Sequence, residues 1–153
     1  MHMRNQKERR FTVNLKHESG FRFVSQAGED GVPHGKPYVS DEPDPVGEAS
    51  GPATPALLGS AIGHCLSASL LEALRSAGAD VSGFETDVTA VVKPNEDGFP
   101  RIDHVDVLLR PSVREADAGA DVCAGIFENY CTVSSSLKKG IDIRVHVQWQ
   151  AAE

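Results

Sequence analysis

The N-terminal third of the chain alternates apolar and polar residues in short runs, a pattern that predicts β-strands. Phe11 to Leu15 is the first such run, and Phe21 to Ser25 is the second. Residues 17–20 and 28–31 are rich in turn formers, and each group ends in glycine. With a third short strand expected at Pro37 to Ser40, this part of the sequence predicts an antiparallel meander.

A long loop and one long helix are predicted next. Residues 41–55 are rich in Pro, Gly and acidic residues and show no periodicity. Thr54 is the expected N-cap of the helix, with Pro55 at its first position. The helix is expected to end near Ser76, with Gly78 just beyond its end.

Apolar residues cover more than one face of this helix. One stripe and its flanks comprise Leu57, Leu58, Ala61, Ile62, Cys65, Leu66, Leu70, Leu71, Ala73 and Leu74. A helix that is apolar so widely needs cover on more than one side, whereas a sheet of short strands covers only one. The pattern therefore predicts that a second copy of the chain supplies the remaining cover, in a homodimer.

The C-terminal half begins with two predicted strands. Residues 81–92 form the first, with Phe84, Val88, Ala90 and Val92 on one face. A turn at 95–98 leads to the second strand. That strand covers residues 102–109, and its expected core face carries Val105, Val107 and Leu109.

Two helices and a last strand complete the predicted order. A weak helix is expected at 113–130 and a short one at 131–139, closed by Gly140. Residues 141–149 alternate in the manner of a strand. Strand pairs joined by tight turns, with helices between them, predict an α+β fold with antiparallel pairing. Residues 1–153 are expected to form one domain, with 1–9 as a flexible tail.

Composition narrows the class of protein. The chain has 153 residues, 40% hydrophobic and 24% charged, which suits a soluble core. A net charge of -7 argues against a nucleic acid or an anionic membrane as partner. No secretory signal is recognisable, and polar residues interrupt the longest apolar stretch. The expected location is therefore the cytoplasm.

The three cysteines are the candidate reactive residues. They show no CxxC motif and no zinc-site spacing, and their number does not suggest a secreted disulfide scaffold. Cys65 lies in the long helix and is either a small buried hydrophobe or a reactive thiol. Cys131 is expected in the first turn of the short helix, where free N–H groups lower a thiol pKa, but it too could be inert. Cys123 is interpreted as a core residue.

No cofactor or metal is predicted. The sequence lacks dinucleotide, phosphate-loop and metalloprotease motifs. His64, His104 and His146 lie in separate predicted elements and do not form a ligand set. His64 and Cys65 are adjacent on a helix and point in different directions, so His64 is not expected to be the base for Cys65.

Two segments resemble the OsmC/Ohr family. Residues 54–69, with Cys65 in the run Gly-His-Cys-Leu-Ser, are similar to the helix that carries the reactive cysteine of that family. Residues 127–141, with Cys131 in Asn-Tyr-Cys-Thr-Val-Ser, are similar to its second-cysteine segment. The strand-rich start with Arg22 in Gly-Phe-Arg-Phe, and the order of elements, match as well. The resemblance covers roughly residues 10–148.

The resemblance implies an OsmC-like fold, in which sheets from two chains wrap long central helices in an intertwined homodimer. It also implies a thiol peroxidase that reduces organic hydroperoxides and is regenerated by a dithiol, of a lipoyl type or similar. By the same resemblance Cys65 is the peroxidatic thiol, Cys131 is the resolving thiol, and Arg22 holds the thiolate and polarises the peroxide.

One position departs from the family pattern. Active members carry a glutamate ten residues before the reactive cysteine, where it orients the arginine, and this chain has Pro55 there. Glu42 or Glu48 in the preceding loop could replace it. The departure leaves a second hypothesis open. In it, the chain is a divergent OsmC-like protein that binds a small molecule and has weak or no peroxidase activity.

Overall fold

The computed structural model describes residues 7–114 and 127–150. Its first three elements form an antiparallel sheet in the order β1-β2-β3. They are β1 Phe11–Ser19, β2 Arg22–Glu29 and β3 Val32–Ser40. The predicted meander is confirmed, although β3 begins earlier than expected because Val32 pairs directly with Glu29 across the turn. Asp30 and Gly31 make that turn with φ values of 49° and 82°, a conformation that favours glycine.

The long helix α1 spans Thr54–Ser76, as predicted. The expected cap was wrong, because Ala53 is the N-cap, with extended backbone angles and no side-chain cap bond. Thr54 is already helical, and Pro55 lies in the first turn. N–H groups in that turn have no intrahelical acceptor, so the absence of an N–H in proline costs no hydrogen bond there. Gly78 follows the C-cap with φ 80°, as its predicted place beyond the helix requires.

The hairpin of β4 Val81–Pro94 and β5 Pro100–Val113 forms a second, two-stranded antiparallel sheet. In the turn, the Asn95 side-chain oxygen accepts hydrogen bonds from the N–H groups of Asp97 and Phe99. The predicted core face of β5 is confirmed, since Val105, Val107 and Leu109 pack against the core. Val92 was predicted on the same face as Phe84, Val88 and Ala90, but it does not share their partial burial. A register shift between Val91 and Val92 leaves Val92 45% exposed.

A short 3-10 turn, Phe127–Tyr130, leads into helix α2, Thr132–Lys139, with Cys131 as its N-cap and Gly140 as its C-cap. The short helix predicted at 131–139 is thus confirmed to within one residue. The helix predicted at 113–130 is wrong at both ends, because Val113 closes β5 and Phe127–Tyr130 is a 3-10 turn. The rest of that prediction, together with Cys123, lies outside the described residues.

The strand predicted at 141–149 was wrong for a single chain. Residues 141–150 have no regular secondary structure. Ile143 is 80% exposed, Val145 is 78% exposed and Trp149 is 91% exposed. A strand exists only when its N–H and C=O groups pair with a neighbouring strand. Within the described part of one chain, this segment has no such neighbour.

The core lies between α1 and the β4–β5 hairpin, and the 3-10 turn and α2 also pack on α1. Its buried residues are Ile62, Leu66, Leu70, Leu74, Phe127 and Cys131. Gly59 and Gly63 let α1 approach β4 closely, because a Cβ at Gly63 would lie 2.6 Å from Val88 Cγ2. By length and composition α1 could cross a membrane, but its packing against the hairpin is that of a core helix.

Candidate thiol site

The structure brings Cys65 and Cys131 together. Cys65 lies near the middle of α1 and is half-buried, whereas Cys131 is 0% exposed and immediately precedes α2. Both are free thiols, and they pack together closely enough for each to shift the pKa of the other. The pairing arises because the 3-10 turn and α2 pack directly on α1. Two residues far apart in sequence thereby form one site.

The N-terminus of α2 supplies hydrogen-bond donors to both sulfurs. The N–H groups of Val133 and Ser134 face the Cys131 sulfur, and those of Thr132 and Val133 face Cys65. N–H groups in the first turn of a helix have no intrahelical acceptor. The Cys131 side chain makes no capping hydrogen bond to them, but a negative charge on either sulfur is favoured by these nearby N–H groups.

The pKa of Cys131 is lowered from its ordinary value. Burial acts to raise this pKa, but the nearby Cys65 thiol, Ser134 hydroxyl and α2 amides favour the thiolate and outweigh it. This agrees with the sequence-based expectation that a helix start would lower the pKa of Cys131. In the reduced pair, Cys131 is therefore the thiol that ionises more readily.

The pKa of Cys65 is raised instead. Burial is the main cause, and the hydrogen bond and negative charge of Cys131 act in the same direction. The amides of Val133 and Thr132 oppose this rise without cancelling it. Within one chain, the surroundings of Cys65 thus favour its thiol over its thiolate.

Ser134 is a site residue that the sequence reasoning missed. It is 7% exposed, and its hydroxyl has no hydrogen-bond partner within the described chain. The group it faces is the Cys131 sulfur. The signal was present in the spacing. An N-cap residue and the residue three positions later face each other at a helix start, and Cys131 and Ser134 occupy those positions.

Arg22 is placed apart from the two thiols in the chain. It is the first residue of β2, and its Nε pairs with the carboxylate of Glu18 across the β1–β2 hairpin. Among the described elements, the β1–β3 sheet shares no extensive packing with α1 or the second hairpin. Within the described part of one chain Arg22 is not brought to Cys65, and its predicted role stays a prediction.

The loop acids Glu42 and Glu48 are not paired with Arg22 in the described part of the chain. Their backbone N–H groups instead donate to the buried carboxylate of Asp41, which also accepts from Ser50 N and Oγ. These bonds hold residues 41–50 in a closed loop. The acid that contacts Arg22 is Glu18, which the sequence reasoning had not considered.

The histidines lie away from the paired thiols. His64 is exposed on α1 and lines an open hollow of about 530 Å³ with Ser67 and Phe84. His104 contacts the carboxylates of Asp103 and Asp106 on the exposed face of β5. Within residues 7–114 and 127–150, no three His, Cys, Asp or Glu side chains are grouped as metal ligands.

Comparison with known proteins identifies the class. The family described as OsmC-like protein matches residues 47–146, a span that contains both Cys65 and Cys131. The chain belongs to the OsmC-like protein family. A comparison with curated proteins found no match.

Solved structures share the fold at low sequence identity. An OsmC-like protein from Mycoplasma pneumoniae is 16% identical with a TM-score of 0.64, over 88% of this chain and 89% of that one. An organic hydroperoxide resistance protein OsmC from Legionella pneumophila is 8% identical with a TM-score of 0.57, over 82% and 87%. The organic hydroperoxide resistance protein OhrB of Bacillus subtilis is 14% identical with a TM-score of 0.51, over 82% and 88%. These likenesses establish the α+β, OsmC-like fold predicted from the sequence.

Proposed function

We propose that the protein is a cysteine-based peroxidase that reduces organic hydroperoxides in the cytoplasm. The observation that carries the proposal is the contact between the Cys65 and Cys131 thiols, because two-cysteine redox chemistry requires sulfurs that can meet. Membership of the OsmC-like family supports it, as do structural neighbours named for organic hydroperoxide resistance.

The proposed reaction uses the two sulfurs in sequence. The Cys65 thiolate attacks the distal oxygen of the hydroperoxide, the O–O bond breaks, and the alkoxide takes a proton to leave as an alcohol. Cys65 is then a sulfenic acid. The Cys131 thiolate attacks that sulfur and forms a disulfide, while the hydroxyl leaves as water. A dithiol, of a lipoyl type or similar, returns both sulfurs to thiols and is itself oxidised to a disulfide.

Within a single chain, the raised pKa of Cys65 opposes the ionisation that the first step needs. In the proposal, the adjacent Cys131 sulfur takes the proton of the Cys65 thiol, as a neighbouring base does for a nucleophile. In the proposal, Arg22 from a second copy adds a fixed positive charge beside Cys65 and lowers its pKa. Glu18, which pairs with Arg22, would orient that guanidinium.

A homodimer is part of the proposal, and uncovered apolar surface supports it. Phe11, Val13 and Leu15 alternate along β1 and are between 50% and 66% exposed. The 141–150 segment presents its alternating apolar residues to solvent. Such surface is unusual for a monomer. Pairing of this segment with an exposed strand edge of a second copy would satisfy its backbone and cover both surfaces.

The activity is tested by following consumption of cumene hydroperoxide with dihydrolipoamide as the reductant. We expect the wild type to consume the hydroperoxide and Cys65→Ser to have only the uncatalysed rate, because the attacking sulfur is gone. Cys123→Ser is the matched control, which removes a different thiol and should keep the activity. Equal rates for wild type and Cys65→Ser would reject the peroxidase.

A binding protein of the OsmC-like class, without efficient catalysis, is the second candidate. Pro55 in place of the family glutamate and the raised pKa of Cys65 favour it. Mass spectrometry after one equivalent of peroxide separates the two. The peroxidase loses two hydrogens per chain through a Cys65–Cys131 disulfide, whereas the binding protein stays reduced.

A further inference from the structure

We infer that the two sulfurs of the Cys65–Cys131 disulfide are not equivalent towards the reductant: the incoming thiol attacks Cys65, and Cys131 departs as a thiolate held by Ser134 and the start of α2. The inference rests on the proposed function and specifies its reductive half. It assigns Ser134 as a positioning residue for the departing sulfur.

Access is the first argument. Cys131 is 0% exposed, enclosed between α1, the 3-10 turn and α2. Cys65 is half-buried and is the residue of the pair that retains contact with solvent. Which sulfur is attacked in thiol–disulfide exchange depends on access as well as on chemistry. An external thiol therefore reaches Cys65 first.

Stabilisation of the departing sulfur is the second argument. The Ser134 hydroxyl is nine-tenths buried, has no hydrogen-bond partner in the described chain and lies beside Cys131. A buried hydroxyl without an acceptor is unfavourable, and a thiolate at Cys131 provides that acceptor. The N–H groups of Val133 and Ser134 add two further donors. A leaving thiol that is better stabilised as an anion departs faster.

The exchange proceeds in two balanced steps. A thiolate of the dithiol forms a bond to Cys65 Sγ, the Cys65–Cys131 bond breaks, and its electron pair stays on Cys131 Sγ. The second thiolate of the dithiol then attacks the dithiol sulfur joined to Cys65 and releases Cys65 as a thiolate. The dithiol becomes a cyclic disulfide, and the protein gains two electrons.

The location of the mixed disulfide tests the inference without peroxide. The full chain is oxidised with diamide, mixed with the monothiol glutathione, quenched in acid and digested with pepsin for peptide mass mapping. We expect glutathione on Cys65 and a free thiol at Cys131. Glutathione on Cys131, or on neither cysteine, overturns the inference while the peroxidase proposal stands. Failure of diamide to form the Cys65–Cys131 disulfide overturns both.

The role of Ser134 is tested by kinetics of the same exchange. Ser134→Ala should slow release of Cys131 by about three- to tenfold, because one hydrogen bond to the departing anion is lost. Ser136→Ala removes an exposed hydroxyl of the same helix and should leave the rate unchanged. Ser134→Thr keeps a hydroxyl and should restore much of the rate.

A purely structural role for Ser134 is distinguished by a thiolate titration. In the Cys65→Ser background, absorbance near 240 nm reports ionisation of Cys131. Addition of Ser134→Ala should move that titration to higher pH, whereas addition of Ser136→Ala should not. An unchanged titration, or equal exchange rates for Ser134→Ala and wild type, overturns the assignment of Ser134.

Discussion

Replacement of Gly63 by alanine tests the close contact that places Cys65. Gly63 is buried on α1, two residues before Cys65, and faces the side chain of Val88 on β4. The added Cβ would lie 2.6 Å from Val88 Cγ2, about an ångström inside ordinary van der Waals contact. Val88 is β-branched and held in a strand, so its methyl group has little freedom to turn away.

Two opposing effects set the magnitude. Overpacking a well-filled core costs about 1–3 kcal/mol. Alanine in a helix interior is more favourable than glycine by about 1 kcal/mol. We therefore expect Gly63→Ala to lower the free energy of unfolding by roughly 1 kcal/mol. In a Val88→Ala background the clash disappears, and the same substitution should stabilise by about 1 kcal/mol.

Urea denaturation of the four proteins of this double-mutant cycle gives the free energies, measured at one protein concentration because subunit association would shift them. Gly59→Ala is a matched control on the same helix face, since its Cβ would lie 3.2 Å from Val88 Cγ1 and needs only a small adjustment. An effect of Gly63→Ala with the same sign and size in both backgrounds would refute the contact with Val88.

Three further predictions concern the core, the loop and assembly. Leu70→Ala, at 5% exposure, should cost about 2–5 kcal/mol in urea denaturation, whereas exposed Leu137→Ala should change little. The pKa of Asp41 is lowered, chiefly by the Ser50 hydroxyl. The Asp41 carboxylate therefore stabilises the folded state at pH values above the ordinary aspartate pKa. This stabilisation is lost as the pH falls through the lowered pKa. Asp41→Asn should abolish that pH dependence and speed proteolysis of residues 42–50 at neutral pH; an unchanged cleavage rate would contradict the loop contacts. Val145→Lys should reduce the molar mass measured by light scattering from that of two chains to that of one, while Gln148→Lys should leave it unchanged. A wild type that already has the mass of one chain would reject the dimer.

Local signals in the sequence were sufficient for most of the secondary structure. Pro55 and Gly78 bracket α1 because proline suits a first helical turn and glycine suits a left-handed residue after the end. Two tight turns, at 30–31 and 95–98, fix the hairpins for equally local reasons. The errors at Thr54 and Val92 are small shifts at a cap and a bulge, where neighbouring contacts decide the detail.

The alternating residues at 141–149 show a structural feature that local sequence could not predict correctly. The pattern records a preference for a strand, but a strand also needs a partner edge, and one described chain provides none for it. The separation of Arg22 from the thiols is a similar case. Its ion pair with Glu18 is local to a hairpin, whereas its predicted approach to Cys65 depends on how whole sheets assemble.

The sequence by itself determined the α+β class, the long apolar helix and the two cysteine segments that resemble the OsmC/Ohr family, because these depend on periodicity, turn residues and short motifs. Tertiary structure alone decided that Cys65 and Cys131 pack together and that the pKa of Cys65 is raised. The physical reason is that the pKa and solvent access of a thiol depend on groups that packing brings within a few ångströms of it. When those groups are distant in sequence, local sequence patterns do not reveal that they are close.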